Sequence, residues 1–419
     1  MRSLPVVLLF VCSISFGQTA YLLQPDRVFD GEKIVTGVSV FVHNDKIVAI
    51  GPSNSIKPTA DVVVIKLPGC TLMPGLIEGH SHLLLHPYNE VSWNDQVMKE
   101  PDALRVARAT VHAKNTLMAG FTTVRDLGSE GAGYADVGLK MAIEQGIIPG
   151  PRMLVAGRAI VATGSYGPKG FDDDFKVMIG AEEADGNNLI KVVRDQIGKG
   201  ADIIKVYADY RWGVNNQSMP TFTTDELKLI VETANSSGRQ VVAHASTDEG
   251  MRRATLAGVS TIEHGDNGTL ETFQLMKQKG VALCPTIAAG HAIAQYRGWQ
   301  KGTLPEPDGV KQKRISYQAA IQSEVTICAG GDVGVFAHGD NVRELEMMTE
   351  YGMMADQVLR SATSINADVF GIGEVTGRIR QDLKADILVV QGDPTKNISD
   401  LRKVKLVMKD GVVYRNEKL

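Results

Sequence analysis

Residues 74–86, "PGLIEGHSHLLLH", form an apolar run that carries two imidazoles two positions apart, His80 and His82. On a strand, positions i and i+2 share one face, so both rings can address one point. Further along, His244 closes "QVVAH", His264 closes "STIEH", Lys205 lies in "GADIIKVY" and Asp332 follows "VTICAGG". The chain has 9 histidines, and those at 80, 82, 244 and 264 all end strand-like runs, which scattered surface histidines would not do. His80 alone would read as a satisfied core residue. The ordered set reads as a metal centre.

Imidazole and carboxylate are good Zn²⁺ ligands, at about 2.0–2.2 Å. Two divalent ions sharing a hydroxide polarise a carbonyl and supply a nucleophile near neutral pH. The four histidines would fix the metals, and Asp332 would bind one of them while taking a proton from the attacking water. Lys205 needs its own argument. A protonated ammonium buried beside two cations is disfavoured, so its pKa should fall. A neutral amine can add CO₂, and the resulting carbamate is an anion with two oxygens able to bridge two metals. Read alone, "GADIIKV" would hold only a rim lysine with a snorkelling stem.

Six residues this far apart in sequence need a scaffold that brings them together. Apolar runs ending in polar or glycine-rich loops recur: "LMPGLIEGH", "FTTVRDLG", "PRMLVAG", "ADIIKVY", "QVVAHAS", "STIEHGD", "VALCPTI" and "VTICAGGDV". Amphipathic helical stretches lie between them, among them "DALRVARATVHAKNTLMAG", "NNLIKVVRDQIGKG", "TDELKLIVETANSSG" and "DEGMRRATLAG". Glycine at a helix end followed at once by a β-rich run is what a βα unit requires. Eight such units predict an α/β fold, a (β/α)8 TIM-like barrel whose reactive groups sit at the C-terminal ends of its strands. Short alternating strands from residue 20 to about 67 and in the last 45 residues are too slight for separate cores. They predict one small β-sandwich domain built from both termini. The expected division is 18–70 with 375–419 for that domain and 71–374 for the barrel.

The first 17 residues differ from the rest. Arg2, the apolar stretch "LPVVLLFVCSISF", and the small residues Ser15 and Gly17 match a secretory signal peptide. Export to a periplasm or the medium is expected, with the mature chain starting near Gln18. Bulky Val11 before Cys12 argues against a lipid anchor, and the apolar stretch is short for a membrane span. The later cysteines, Cys70, Cys284 and Cys328, are odd in number and far apart, and read as buried thiols. Of 419 residues, 43% are hydrophobic and 22% charged, with 43 glycines, as in a turn-rich α/β protein. A net charge of −4 without a basic block points away from nucleic acid and from an anionic membrane surface.

With these residues in place, the sequence resembles the metal-dependent amidohydrolase superfamily. The branch it is most similar to contains imidazolonepropionase-like and Xaa-Pro dipeptidase (prolidase)-like hydrolases. The resemblance runs over nearly the whole mature chain, through "MPGLIEGHSH", "GFTTVRDLG", "GADIIKV", "VVAHA", "GVSTIEHG", "AGGDVG", "HGDNVRELEMMTEYGM" and "ADILVVQGDPTKNI". It implies a binuclear site in which His80 and His82 hold one metal and His244 and His264 the other. Lys205, as N6-carboxylysine, would bridge them, and Asp332 would bind metal and act as general acid/base.

Two departures concern the substrate. Many relatives carry a histidine in the loop after the third strand, where this chain reads "ATGSYGPKG". Prolidase-like members often have a tyrosine after the strand-five histidine, and here Ser246 follows in "HAS". Tyr166, Tyr207, Tyr210, Arg211 and Arg158 are the groups that could replace them, since a hydroxyl and a guanidinium both suit a substrate carboxylate. His43, His86, His112 and His291 lack the barrel context and read as ordinary loop or helix residues.

The expected function is hydrolysis of a C–N amide bond by an exported enzyme. The substrate would be a dipeptide, Xaa-Pro or another Xaa-Xaa, or an N-acyl amino acid, with a metal-bridging hydroxide as nucleophile. The expected cofactors are two divalent ions, zinc first, with the CO₂-derived carbamate on Lys205. A cyclic amide or amidine hydrolase of the imidazolonepropionase type is the nearest rival. A non-catalytic zinc-binding barrel is the other, although it would have no use for the proton shuttle of Asp332. Barrels of this sort often form homo-oligomers; no patch in the sequence singles out an interface.

Overall fold

Parallel strands at Leu76–Ser81, Phe121–Asp126 and Arg152–Val155 pair in sequence order. Those at Ile203–Tyr207, Gln240–Ala245, Thr261–His264 and Ala282–Cys284, the fourth to seventh barrel strands, do the same. The two-residue run Ile160–Val161 after the third strand also pairs with the fourth. Two seams join these sheets into a ring. On one side Asp202 N donates to Val155 O (2.8 Å). On the other, Cys328 N donates to Leu283 O (2.8 Å), Gly79 N to Ala329 O (2.9 Å) and His82 N to Val333 O (2.7 Å). The result is the expected (β/α)8 barrel. This computed structural model describes residues 20–57, 62–172 and 174–417. The expected signal peptide lies outside the described residues.

One expected strand is different. "VTICAGGDV" forms no regular strand; it meets its neighbours through the single bridges Leu283↔Ile327 and Ser81↔Val333. A Cβ on Gly330 would lie 2.5 Å from Cys284 Sγ and 2.7 Å from His80 N, so the backbone itself is packed against the first strand. That close approach brings Asp332 to the histidines.

The helices follow the patterns read from sequence: Asp102–Met118, Asn188–Gly198, Thr224–Asn235 and Asp248–Ala257. Thr223 and Glu226 form a capping box at the third of these, and Thr247 caps the fourth. The fourth ends on Gly258 at φ 90°, a left-handed stop that turns the chain into the His264 strand. Strands buried on both faces explain the near-continuous apolar runs.

Both chain ends meet in an eight-stranded sheet. Its long strand, Val62–Pro74, runs parallel to Ala20–Phe29 on one edge and antiparallel to Ile387–Gln391 on the other. Leu23, Val40, Leu72, Val389 and Leu406 are wholly buried in its core. Only Gly75 separates that long strand from the barrel strand carrying His80. Cys70, Cys284 and Cys328 are free, buried thiols. Among the described residues, no helix is long and apolar enough to cross a membrane.

Candidate active site

The four histidines and Asp332 line one cavity of about 830 Å³ at the C-terminal mouth of the barrel. Ring centroids lie 5.3 Å apart for His80 and His82, 5.2 Å for His80 and His264, and 4.5 Å for His244 and His264. Asp332 Oδ1 is 3.3 Å from His82 Nε2 and 3.6 Å from His80 Nε2. One ligand-type atom from each of His80, His82 and Asp332 fits within 4.8 Å. Asp332 and His264 hold left-handed backbone angles, φ 59° and 74°. Strain of this kind persists where surrounding contacts over-determine the geometry.

Three of the imidazoles are hydrogen-bonded through one nitrogen, which leaves the other for the centre. His80 Nδ1 faces Glu263 Oε2 at 2.8 Å, His82 Nδ1 donates to Gly128 O at 2.9 Å, and His264 Nδ1 pairs with Thr286 Oγ1 at 2.7 Å. His244 is turned the other way: its Nε2 sits 3.6 Å from Asp209 Oδ1, leaving Nδ1. Asp209 is fixed by donors from Ser246 N, Thr247 N and Thr247 Oγ1. Outer partners of this type set the tautomer and orientation of metal-binding histidines. The residues present therefore suit divalent cations.

Burial, then the nearby Lys205 charge, lowers His80 to about 4 and His244 to about 3. His264 falls well below its usual value for the same first reason, with His244 adding to it. At neutral pH these three rings are neutral lone-pair donors, as metal binding requires. His82 goes the other way: burial opposes its charge, but the hydrogen bond and charge of Asp332 raise it to about 9. Asp332 is held low despite burial by His80, His82 and Lys205.

Lys205 is 1% exposed, on the fourth barrel strand, with Nζ 5.6 Å from the Tyr207 ring centroid. Burial lowers its pKa, against the opposing pull of Glu263 and Asp332. Lys205 is not among the residues that line the cavity, but its charge is near enough to act on His80, His244 and Asp332.

Tyr166, Tyr207, Tyr210 and Arg211 line the same cavity. Tyr207 stacks on His244 at 4.5 Å, and Tyr166 packs on Tyr207 and Tyr210 at 4.7 and 4.8 Å. Burial raises the Tyr166 and Tyr207 hydroxyls well above their normal range, so both are neutral donors. Arg158 is elsewhere: its guanidinium stacks on Tyr134 at 5.5 Å and does not line the cavity. Ser246, at the position of the relatives' tyrosine, donates to Asp266 instead (3.0 Å). His86 bonds Glu90 and Glu100, His112 stacks on His338, and His291 packs on Trp299, all away from the metal-type cluster.

Five supporting residues escaped the sequence reading. Glu263 and Arg125 form a wholly buried pair behind His80 (2.7 Å). Asp209 stands behind His244, as described. Glu78 accepts from His80 N, Gly331 N and Asn341 Nδ2, tying the Asp332 turn to the first strand. Glu130 lies in the cavity wall. The available signal was burial itself: a charged residue inside an apolar strand, as in "TTVRDLG" and "STIEHG", needs a partner.

The sequence profile of the amidohydrolase family matches residues 71–414. The ochratoxinase of Aspergillus niger is 30% identical over 364 residues, 80% of this chain and 73% of that protein. Among solved structures, a Xaa-Pro dipeptidase with methionine bound in its active site has a TM-score of 0.83 at 30% identity, covering 95% of this chain and 100% of that one. A prolidase complexed with N-methylphosphonate-L-proline has a TM-score of 0.80 at 26% identity, with 95% and 100% covered.

Proposed function

The chain belongs to the amidohydrolase family and is a hydrolase of C–N amide bonds; from that premise we propose that it cleaves dipeptides or N-acyl amino acids at a binuclear zinc centre. His80 and His82 would hold one ion and His244 and His264 the other. Lys205 would bridge them as a carbamate, and Asp332 would complete the set. Bound there, the cations would activate water near neutral pH and polarise the amide carbonyl.

The observation that carries this reading is the shared cavity, lined by four imidazoles and Asp332 together with Tyr166, Tyr207, Tyr210 and Arg211. Its volume of about 830 Å³ suits a small molecule of dipeptide size. Asp332 would take a proton from the attacking water and pass it to the leaving nitrogen. Tyr166, Tyr207 and Tyr210 would orient the substrate, and Arg211 at the rim would take its carboxylate. The lowered pKa of Lys205 supports the neutral amine that carbamate formation needs. The signal-like residues 1–17 support export.

The test is a library of dipeptides, N-acyl amino acids and cyclic amides assayed on zinc-loaded protein. Turnover of at least one linear amide is expected. Turnover of ring substrates alone would replace this reading with that of a cyclic amide hydrolase.

A further inference from the structure

Glu130 is 3% exposed, yet it lines the active-site cavity. It sits in the glycine-rich loop after the second barrel strand, two residues past the Gly128 carbonyl that anchors His82. Its backbone is left-handed, φ 48°. Arg105 clamps that conformation from behind, donating to the carbonyls of Glu130 (2.8 Å) and Ser129 (3.0 Å). Arg105 also donates to Leu84 O (3.2 Å), so its three hydrogen bonds all go to main chain and none to the carboxylate.

The carboxylate itself receives two neutral donors, Trp93 Nε1 (2.9 Å) and Tyr166 OH (2.7 Å). Both engage Oε2. Neither carries a charge. Arg105 is near enough to feel the carboxylate, but no cation among the described residues hydrogen-bonds to it. That leaves a buried carboxylate without a direct ionic partner. Around it the rings of Trp93 and Tyr166 meet edge to face at 5.4 Å, and Tyr210 lies 4.8 Å beyond Tyr166. A carboxylate beside an aromatic wall is the arrangement that captures ammonium and guanidinium groups.

Resting on the amide-hydrolase reading, we propose that Glu130, with Trp93 and Tyr166, forms the subsite for a cationic group of the substrate. That group is either the free α-ammonium of a dipeptide or a basic side chain. The enzyme then selects positively charged amides, and Glu130 is its specificity-determining residue.

Four ligands of equal carbon count separate the possibilities without being hydrolysable amides: hexanoate, 6-aminohexanoate, L-norleucine and L-lysine. Their binding to zinc-loaded full-length protein is measured by calorimetry, for the wild type and Glu130→Gln. The expected result is that an ammonium strengthens binding about 10- to 100-fold over hexanoate, as a charged hydrogen bond does. Glu130→Gln should abolish that advantage while leaving hexanoate binding in place. A gain for 6-aminohexanoate assigns the site to a basic side chain, and a gain for norleucine assigns it to the α-ammonium. Equal binding of all four to the wild type overturns the proposal whatever the variant does. So does a preference that survives Glu130→Gln, since amino-acid chelation of zinc would then explain it. Because none of these ligands is cleaved, the outcome is independent of whether the substrate library yields turnover.

Discussion

His80 Nδ1 lies 2.8 Å from Glu263 Oε2, a contact between residues 183 positions apart inside the barrel. The other oxygen of Glu263 is 2.7 Å from Arg125 Nη2, and neither member of that pair is exposed. The orientation of one active-site imidazole is thus tied to a buried ion pair. Glu263→Gln should weaken zinc binding about 10- to 100-fold, the usual effect of losing an outer-shell partner. Competition with a chelator measures it, and an unchanged affinity would reduce Glu263 to a packing role.

The same carboxylate makes a prediction about acid. Burial alone would raise the Glu263 pKa, but Arg125 and His80 outweigh it and hold the group far below its ordinary value of 4.5. A depressed folded pKa contributes stability that is present above the unfolded value and lost as pH falls through the folded one. At pH 7, Glu263→Gln should therefore cost about 3–5 kcal/mol, because Arg125 is left without its anion. Below about pH 4 the gap from the wild type should narrow as the wild-type advantage fades. Urea unfolding at the two pH values reads it; a gap that widens on acidification would contradict the assignment.

Asp332 is assigned both a ligand and a proton-transfer role. Asp332→Asn should lower kcat about 10²- to 10⁴-fold, the range for loss of a general acid/base. Metal content, measured on the same sample, separates loss of chemistry from loss of the ions. Full turnover in the variant would remove the proton-transfer role.

Gly330 has no room for a side chain. Gly330→Ala puts a Cβ 2.5 Å from Cys284 Sγ and 2.7 Å from His80 N, and should cost about 1–3 kcal/mol together with activity. Adding Cys284→Ala relieves the sulfur contact but not the main-chain one. Thermal melts should show partial recovery only, whereas full recovery would mean that the backbone contact is tolerated.

Much of the site was legible because it obeys a positional rule: reactive groups at the ends of parallel strands face one mouth. His80, His82, His244, His264 and Asp332 line one cavity as the rule expects, whereas Lys205, buried within its strand, is not in the lining. The same rule misplaced Arg158. It lies between the third strand and the Ile160–Val161 run, but its guanidinium turns away to Tyr134. Glu263, Arg125 and Asp209 were illegible for a different reason. Their partners are remote in sequence, and no local spacing encodes a pairing across the barrel. The irregular eighth segment was hidden as well, since "VTIC" has the composition of a strand yet pairs only through the isolated bridge Leu283↔Ile327.

The most direct test of the central claim is the number of divalent ions held by purified full-length protein, measured alongside amide turnover before and after chelation. Two ions per chain are expected for the wild type, with turnover lost on chelation and regained on adding zinc. Lys205→Met should hold fewer. Protein stripped of its ions that still hydrolyses an amide at the full rate would contradict the whole assignment.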